Sequence, residues 1–443
     1  MQLDKFKLIH WLNVRKTTFE VLNQLLGNKI NYTISRDNLD KIEDSYLLNL
    51  IAEKLNIPVE KILKEEEIPT YIHHSKETID MTKRKIVRDG IHFYNYYTLP
   101  SPNGYVAPVL IDILCPKERL PKLNNGHLES AITLSLGPND IYARFDKKIN
   151  KNTFCKFKVN KDPKTSWVVG DNYFEPSYCL HTYSRATDGP GRILSYTTQS
   201  YLENFFGKKI NDNTFDNFYK SSSKFKDLTR FFLKQSLDDK GFELDYISKR
   251  TKINIKELQK YFFSSKKNLK INQIKKICDI ADLDFRLFVE RNHKEDIVGK
   301  NYYSYKHSLK TIRTFKSYKI ASISSSTRFP DLFGYYMKVD SKKLKVTTDL
   351  YDSCCSHYLV TNGNLTLNVK NNKKIEKIFL KEGDAVWISS FVYHGFAGTG
   401  SLAKISDGQN FNYLEKVDLM NLYNPKKTLK RARKDKVNWG YDE

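Results

Sequence analysis

Two histidines and a carboxylate in the first half of the chain have the residue types that hold a reactive metal. His127 lies in NNGHLESAITLSLG, and Glu175 and His181 stand six positions apart in GDNYFEPSYCLHTYSR. Residues at even spacing along a strand share one face. Glu175 and His181 can therefore both point inward, and His127 on a separate strand can complete a three-ligand face. Two imidazoles and one carboxylate on one face of an octahedron leave three positions open for a chelating substrate and dioxygen, which is the arrangement ferrous iron needs. Zinc hydrolysis uses the same ligand types, and Glu129, in His127-x-Glu129, competes for the carboxylate place. A single buried strand histidine is more often a hydrogen-bonded core residue, so the weight rests on the combination.

Gly170-Asp171 predicts a tight turn just before this segment. Residues 85–205 hold alternating, aromatic-rich runs (IHFYNYYTL, YVAPVLIDIL, SAITLSLG, SWVVGD, RILSYTTQ) broken by Gly, Pro, Asn and Asp. These read as short antiparallel strands. Residues 1–65 read as helical. In TTFEVLNQLLG, Thr17 or Thr18 is the expected N-cap, Val21, Leu22, Leu25 and Leu26 form one face, and Gly27 is the stop. SYLLNLIAEKLNIPVEKIL repeats the design with Leu47, Leu48, Ile51 and Leu55, and Pro58 opens a further short helix. Residues 223–295 return to helix, and KKICDIADLDFRLFV (275–289) aligns with NLIAEKLNIPVEKIL (49–63), placing Ile277 on Ile51, Leu283 on Ile57 and Phe285 on Val59. Residues 310–415 are strands again. The order helical, β, helical, β predicts duplication of one helix-plus-barrel unit. The helical units resemble small helix-turn-helix bundles, yet neither carries the Arg, Asn and Gln row of a DNA-reading helix.

A chain of 443 residues is long enough for two to four compact units. The formal net charge is +23, with Lys spread along the whole length, which suits an anionic substrate better than a nucleic-acid partner. The densest basic block, PKKTLKRARKDK (425–436), reads as a solvated tail. The six cysteines form no CxxC pair, so neither a zinc ribbon nor a disulfide scaffold is indicated. No apolar run is long enough to span a bilayer and the N-terminus lacks a secretory signal, so a cytoplasmic protein without membrane contact is expected.

RDGIHFYNYY, NNGHLE, GDNYFEPSYCLH and RILSY together resemble the 2-hydroxyethylphosphonate-cleaving dioxygenases, a family of bicupin non-haem iron enzymes that includes methylphosphonate synthases and 2-hydroxyethylphosphonate dioxygenases. The resemblance runs over nearly the whole chain, and EPSYCxH is its most specific element. It implies an α+β fold of two cupin (jelly-roll β-barrel) domains alternating with two small helix-turn-helix-like bundles. The expected division is a repressor-like bundle at 1–70, a catalytic barrel at 71–210, a second bundle at 211–300, a degenerate barrel at 301–420 and a basic tail at 421–443. By this resemblance His127, Glu175 and His181 hold Fe(II), and Arg88, Tyr96, Asn124 and Ser195 bind the phosphonate beside His181. Lys16 is the candidate for a further lysine of the pocket, acting in its own or a neighbouring subunit of a homo-oligomer. A phosphonate dianion calls for such guanidinium, hydroxyl, amide and ammonium donors.

The implied partners are 2-hydroxyethylphosphonate and dioxygen, with no nucleic acid. The resemblance further implies that the substrate would chelate the iron through its hydroxyl and one phosphonate oxygen, that hydrogen would leave the carbinol carbon, and that the carbon–carbon bond would then break. No 2-oxoglutarate is needed, because the substrate supplies all four electrons. One branch of the family yields methylphosphonate and a bicarbonate-level product; the other yields hydroxymethylphosphonate and formate. The family can also place an amide at or near the position of Glu175. The Lys-, Ile- and Asn-rich composition of an AT-rich microbe favours the methylphosphonate synthase branch. In the second barrel GDAVWISSFVYH lacks a carboxylate over 388–391 and keeps His357 and His394, so a bracing barrel without metal is expected. Two other readings compete: a helix-turn-helix transcription regulator with a cupin sensor, and a cupin isomerase or epimerase of a phosphorylated sugar.

Overall fold

A computed structural model describes residues 2–430 except 28–32, 40–41, 65–67, 120, 146–153, 163–166, 201, 203–204, 206–210, 265–267, 290–300, 327–328, 341–346 and 372. Of the basic C-terminal stretch, 431–443 lie outside the described residues.

The first bundle contains α1 (Lys5–Val14), α2 (Phe19–Leu26) and α3 (Ser45–Leu55). Side chains of Asp4, Thr18 and Asp44 accept the otherwise orphaned N–H groups at the three starts. Gly27 ends α2 at φ 55, and Asn56 ends α3 in the left-handed region. Leu22, Leu26, Leu47, Leu48, Ile51 and Leu55 are buried together. Val21 and Leu25 are 42 % and 48 % exposed. The buried face of α2 is thus the i, i+4 pair Leu22 and Leu26, narrower than the apolar count suggests.

The chain continues through β1 (Tyr71–His74), α4 (Lys76–Met81), β2 (Arg84–Arg88), β3 (Ile91–Thr98), β4 (Val109–Ile113), β5 (Ala131–Pro138) and β6 (Ile141–Arg144). Next come β7 (Phe154–Phe157), β8 (Val159–Lys161), β9 (Val168–Gly170), β10 (Asn172–Glu175), β11 (Thr182–Arg185) and β12 (Gly191–Thr197). The second bundle holds α5 (Asp212–Ser222), α6 (Leu228–Asp239), α7 (Leu244–Thr251), α8 (Ile255–Phe263) and α9 (Ile271–Ile280). Like α3, α9 runs into a short 3-10 turn, Phe285–Phe288 matching Val59–Lys61. The last part is β13 (Asn301–Tyr303), α10 (Tyr305–Lys310), β14 (Arg313–Phe315), β15 (Tyr318–Ser322), β16 (Phe333–Asp340), β17 (Ser356–Asn371), β18 (Lys374–Lys381), β19 (Ala385–Ile388), β20 (His394–Ser406) and α11 (Tyr413–Met420). No helix among the described residues is long and apolar enough to cross a membrane.

The two main sheets are antiparallel and have the same order. One reads β13-β10-β5-β12-β4-β3-β2, the other β1-β19-β17-β20-β16-β15-β14. Along these paths the strands match one for one, which is the architecture of a duplication; the second sheet also carries β18, paired to β17. The outermost strands are exchanged: β1, from the first half, pairs with β19, and β13, from the second half, pairs with β10. Boundaries at 71 and 301 therefore cut the chain at strands that complete the opposite sheet.

Each exchanged strand is held by the same device. Asp171 accepts the backbone N–H of Tyr305 at 2.6 Å and the Tyr302 hydroxyl at 2.9 Å. In the other sheet Asp384 accepts the N–H of Lys76 at 2.9 Å. Gly170-Asp171, expected to make a turn, thus also ties down the strand arriving from the other half, and Gly383-Asp384 does the same in its sheet. Between the sheets a shared core joins Leu134, Leu194 and Tyr196 to Ala321, Tyr336 and Ile405.

Candidate metal centre

His127 lies in the connection before β5, Glu175 is the last residue of β10, and His181 immediately precedes β11. Two loops therefore have to meet. Asn124 joins them, its Oδ1 accepting the N–H of His181 at 2.9 Å and of Gly126 at 3.1 Å. Tyr178 donates its N–H to the His127 carbonyl at 2.7 Å. Gly126 sits at φ +73, where a Cβ would come within 2.6 Å of the Tyr178 backbone, so only glycine fits the contact.

His127, Glu175 and His181 converge, with one potential ligand atom from each lying within 4.8 Å of the others. His127 Nδ1 donates to the Glu129 carbonyl at 2.7 Å, leaving Nε2 facing Glu175 Oε1 at 3.4 Å. His181 Nδ1 donates to the Cys179 carbonyl at 3.0 Å. A ring N–H fixed on a carbonyl sets the tautomer and leaves the other nitrogen its lone pair; that of His181 accepts from the Asn124 amide at 2.9 Å, a bond a metal would have to replace. The hydrogen bond to Glu175 raises the pKa of His127. Glu175 is 1 % exposed, and its Oε2 has no hydrogen-bond partner. A buried carboxylate oxygen left in that state is strongly unfavourable without a cation. Glu129 contributes its backbone carbonyl and is not one of the three converging side chains.

Arg88, Tyr96, Asn124 and Ser195 line one small cavity of about 60 Å³ together with His181. Arg88 ends β2 at its rim, and burial raises the Tyr96 hydroxyl's pKa. Larger cavities of about 300 and 400 Å³ lie elsewhere, and neither is lined by a histidine. Lys16 is exposed in the turn between α1 and α2 and does not line the small cavity. Sequence reasoning missed Tyr94, Thr182 and Tyr183, which also line it. Tyr94 donates its hydroxyl to the Tyr183 carbonyl at 2.9 Å, bracing β3 against β11. The adjacency of Thr182 and Tyr183 to His181 was the available signal.

Residues 80–198 match the family description "2-hydroxyethylphosphonate dioxygenase cupin-like domain". The 2-hydroxyethylphosphonate dioxygenase of Streptomyces viridochromogenes is 35 % identical, over 100 % of both chains. The chain belongs to the 2-hydroxyethylphosphonate dioxygenase family. It is thereby placed among enzymes, as a dioxygenase, and the regulator and sugar-isomerase readings give way. A structure of PhpD with cadmium and hydroxyethylphosphonate is 33 % identical, with a TM-score of 0.81 over 98 % of this chain and 100 % of that one. The Streptomyces albus 2-hydroxyethylphosphonate dioxygenase, with its substrate and Fe(II) bound, is 13 % identical with a TM-score of 0.75 over 97 % of each chain. At that identity the likeness speaks for the fold alone.

Within this family member the second-half sheet carries a different set at the equivalent positions. By strand register Ile388 takes the place of Glu175, Ser356 that of Ala131, and Lys404 that of Ser195. Four residues before Ser356, where the first half has His127, stands Asp352. His394 matches His181; its Nε2 meets the Tyr358 hydroxyl at 2.9 Å. Lys404 is buried with its ammonium 2.8 Å from Asp352. A protein ammonium thus supplies the positive charge there.

Proposed function

We propose that the protein is an iron(II)-dependent dioxygenase that cleaves the carbon–carbon bond of 2-hydroxyethylphosphonate, yielding hydroxymethylphosphonate and formate. His127, Glu175 and His181 hold the iron, and Arg88, Tyr96, Asn124 and Ser195 hold the phosphonate. The observation that carries the reading is the placement of a buried carboxylate oxygen with no hydrogen bond between two oriented imidazoles, beside a cavity lined by anion-binding donors.

Bound iron would supply the activation of dioxygen. The chain supplies placement and charge. Glu175 offsets one of the metal's two positive charges, leaving a net cation for a dianionic substrate. The Arg88 guanidinium and the Asn124 amide meet phosphonate oxygens, and the Ser195 and Tyr96 hydroxyls donate to the same group. These contacts fix the carbinol carbon beside the metal and exclude water. The balance closes without a cosubstrate: the phosphonate dianion plus dioxygen gives hydroxymethylphosphonate dianion, formate and one proton. Methylphosphonate, bicarbonate and a proton balance equally well, so stoichiometry does not choose the branch. The full-length relative at 35 % identity is a 2-hydroxyethylphosphonate dioxygenase, which favours hydroxymethylphosphonate. The composition that favours methylphosphonate is a property of the whole chain and says little about the pocket. Lys16 enters this scheme as a residue lent by a neighbouring copy of the chain.

The test is anaerobic reconstitution with iron(II), then 2-hydroxyethylphosphonate and air, followed by phosphorus NMR with His127→Ala in parallel. A hydroxymethylphosphonate signal absent from the variant supports the reading. A methylphosphonate signal moves the protein to the other branch with the site intact, and an unchanged substrate peak in the wild type sinks both.

A further inference from the structure

A line of phenols leads away from the candidate centre. The His181 and Tyr183 rings are 5.7 Å apart, centroid to centroid. The Tyr183 and Tyr173 hydroxyls are hydrogen-bonded to each other, and both rings are buried. Tyr173 lies directly across from Tyr302 on the exchanged strand β13. Side chains opposed in this way share one face, with Cβ atoms about 5 Å apart. Phe157 packs against both, 5.2 Å from Tyr173 and 5.8 Å from Tyr302. Tyr302 is 40 % exposed, and its hydroxyl donates to Asp171 Oδ2 at 2.9 Å.

Packing alone does not call for this arrangement. A phenylalanine has the same ring, and burying a phenol is unfavourable unless its hydroxyl is hydrogen-bonded. Phenylalanines at 173 and 183 would fill the same space with no polar group to satisfy. Phenols differ from them in being oxidisable by one electron, most readily where a neighbour can take the proton. The line starts at a candidate ligand and ends at an exposed ring bonded to a carboxylate. Its last member arrives by strand exchange from the other half of the molecule.

We infer that Tyr183, Tyr173 and Tyr302 form a relay that carries one oxidising equivalent from the metal centre to the surface when dioxygen reacts there without phosphonate to consume it. The relay rests on the function proposed above, which supplies the oxidant. Tyr302 loses one electron and gives its phenolic proton to the Asp171 carboxylate. The electron passes by way of Tyr173 and Tyr183, whose shared proton stays within their hydrogen bond, to the dioxygen at the centre, which with a second electron from the iron and two protons from water leaves as hydrogen peroxide. A one-electron donor in solution, an ascorbate or a thiol, then returns the electron to Tyr302, and Asp171 returns the proton. The benefit is protection, because oxidation is drawn away from His127, His181 and the surrounding backbone.

The experiment uses the iron-loaded full-length protein exposed to dioxygen without phosphonate, freeze-quenched and read by electron paramagnetic resonance. Deuterated tyrosine identifies the radical, and peptide mass spectrometry reports oxidised residues. The wild type should show a tyrosyl radical that ascorbate quenches, and Tyr183→Phe should lack it. Tyr302→Phe should convert phosphonate at the wild-type initial rate when fresh. Its radical should resist ascorbate, its activity should decay severalfold faster during substrate-free exposure, and more oxidation should appear at the centre; Tyr302→Trp should restore tolerance. Because Tyr302 is exposed, its replacement tests the relay even if the core variants fold poorly. A wild type that converts phosphonate yet shows no tyrosyl radical overturns the relay alone, as does Tyr302→Phe decaying at the wild-type rate. A fresh wild type that leaves phosphonate unchanged overturns the proposed function, and the relay with it.

Discussion

Glu175 shows how a site residue works against the fold until its ligand arrives. Its buried Oε2 lacks a hydrogen bond, and an unsatisfied buried polar group costs roughly 1–3 kcal/mol, more when charged. Metal bound only by the folded state stabilises it by about 2.7 kcal/mol at a hundredfold excess over the dissociation constant. Thermal unfolding under anaerobic conditions should therefore show a clear rise in Tm on adding iron(II), and Glu175→Ala should lose most of that rise. Two buried histidines of the second half set a different dependence. Burial holds His357 down to about 3 and His394 to about 4, against about 6.5 in an unfolded chain. The unfolded state takes up these protons first, so stability is full above pH ~6.5 and falls as the pH drops toward those values. His357→Phe removes one proton from this linkage. Its stability should fall less steeply between pH ~6.5 and ~4, by up to about 1.4 kcal/mol per pH unit, in denaturant titrations at each pH. The convergence of His127, Glu175 and His181 agrees with what the EPSYCLH resemblance implied; residue types alone left Glu129 in competition for the carboxylate place. Tyr94 was not legible in the sequence, since its importance depends on β3 lying beside β11.

Among the elements, the two loops that meet at Asn124 carry the sharpest constraint. Gly126→Ala forces a Cβ against the Tyr178 backbone, with φ +73 adding strain. The ligand loops should separate while the sheets behind them stay intact. The expected result is at least a tenfold loss of iron affinity, on the scale seen when groups supporting metal ligands are altered. The Tm of the metal-free protein should change little; iron retention after gel filtration and circular dichroism would check the two halves of this statement. The helices were readable from capping residues and apolar spacing, and α3 and α9 match as aligned. The α2 face was read too wide because apolar type alone does not distinguish Leu22 from Val21. The matching orders of strands followed from the repeat. The exchange of β1 and β13 did not, because strand pairing across more than a hundred residues leaves no mark in local pattern. With three or four residues each, these strands carry little pattern of their own.

At the scale of the whole molecule, exchange makes the two β units mutually dependent. Neither main sheet is complete without a strand from the other, and one core runs between them. Denaturation should accordingly be a single transition. Fluorescence from Trp167 in the first half and Trp387 in the second, isolated in single-tryptophan variants, should report the same midpoint, and two separated midpoints would mean the units unfold independently. Residues 71–210 made alone should be prone to association, because β10 would present an open edge. The same topology sets a schedule during synthesis. The chain leaves the ribosome in order, and Tyr303 emerges 128 residues after Glu175 (303 − 175). At about 5–20 residues per second, roughly ten seconds pass in which the strand bearing the carboxylate has no outer neighbour. During that interval a nascent chain could offer its edge to a second nascent chain on the same messenger. Spacing between ribosomes, as much as sequence, would then decide how many copies reach their native form.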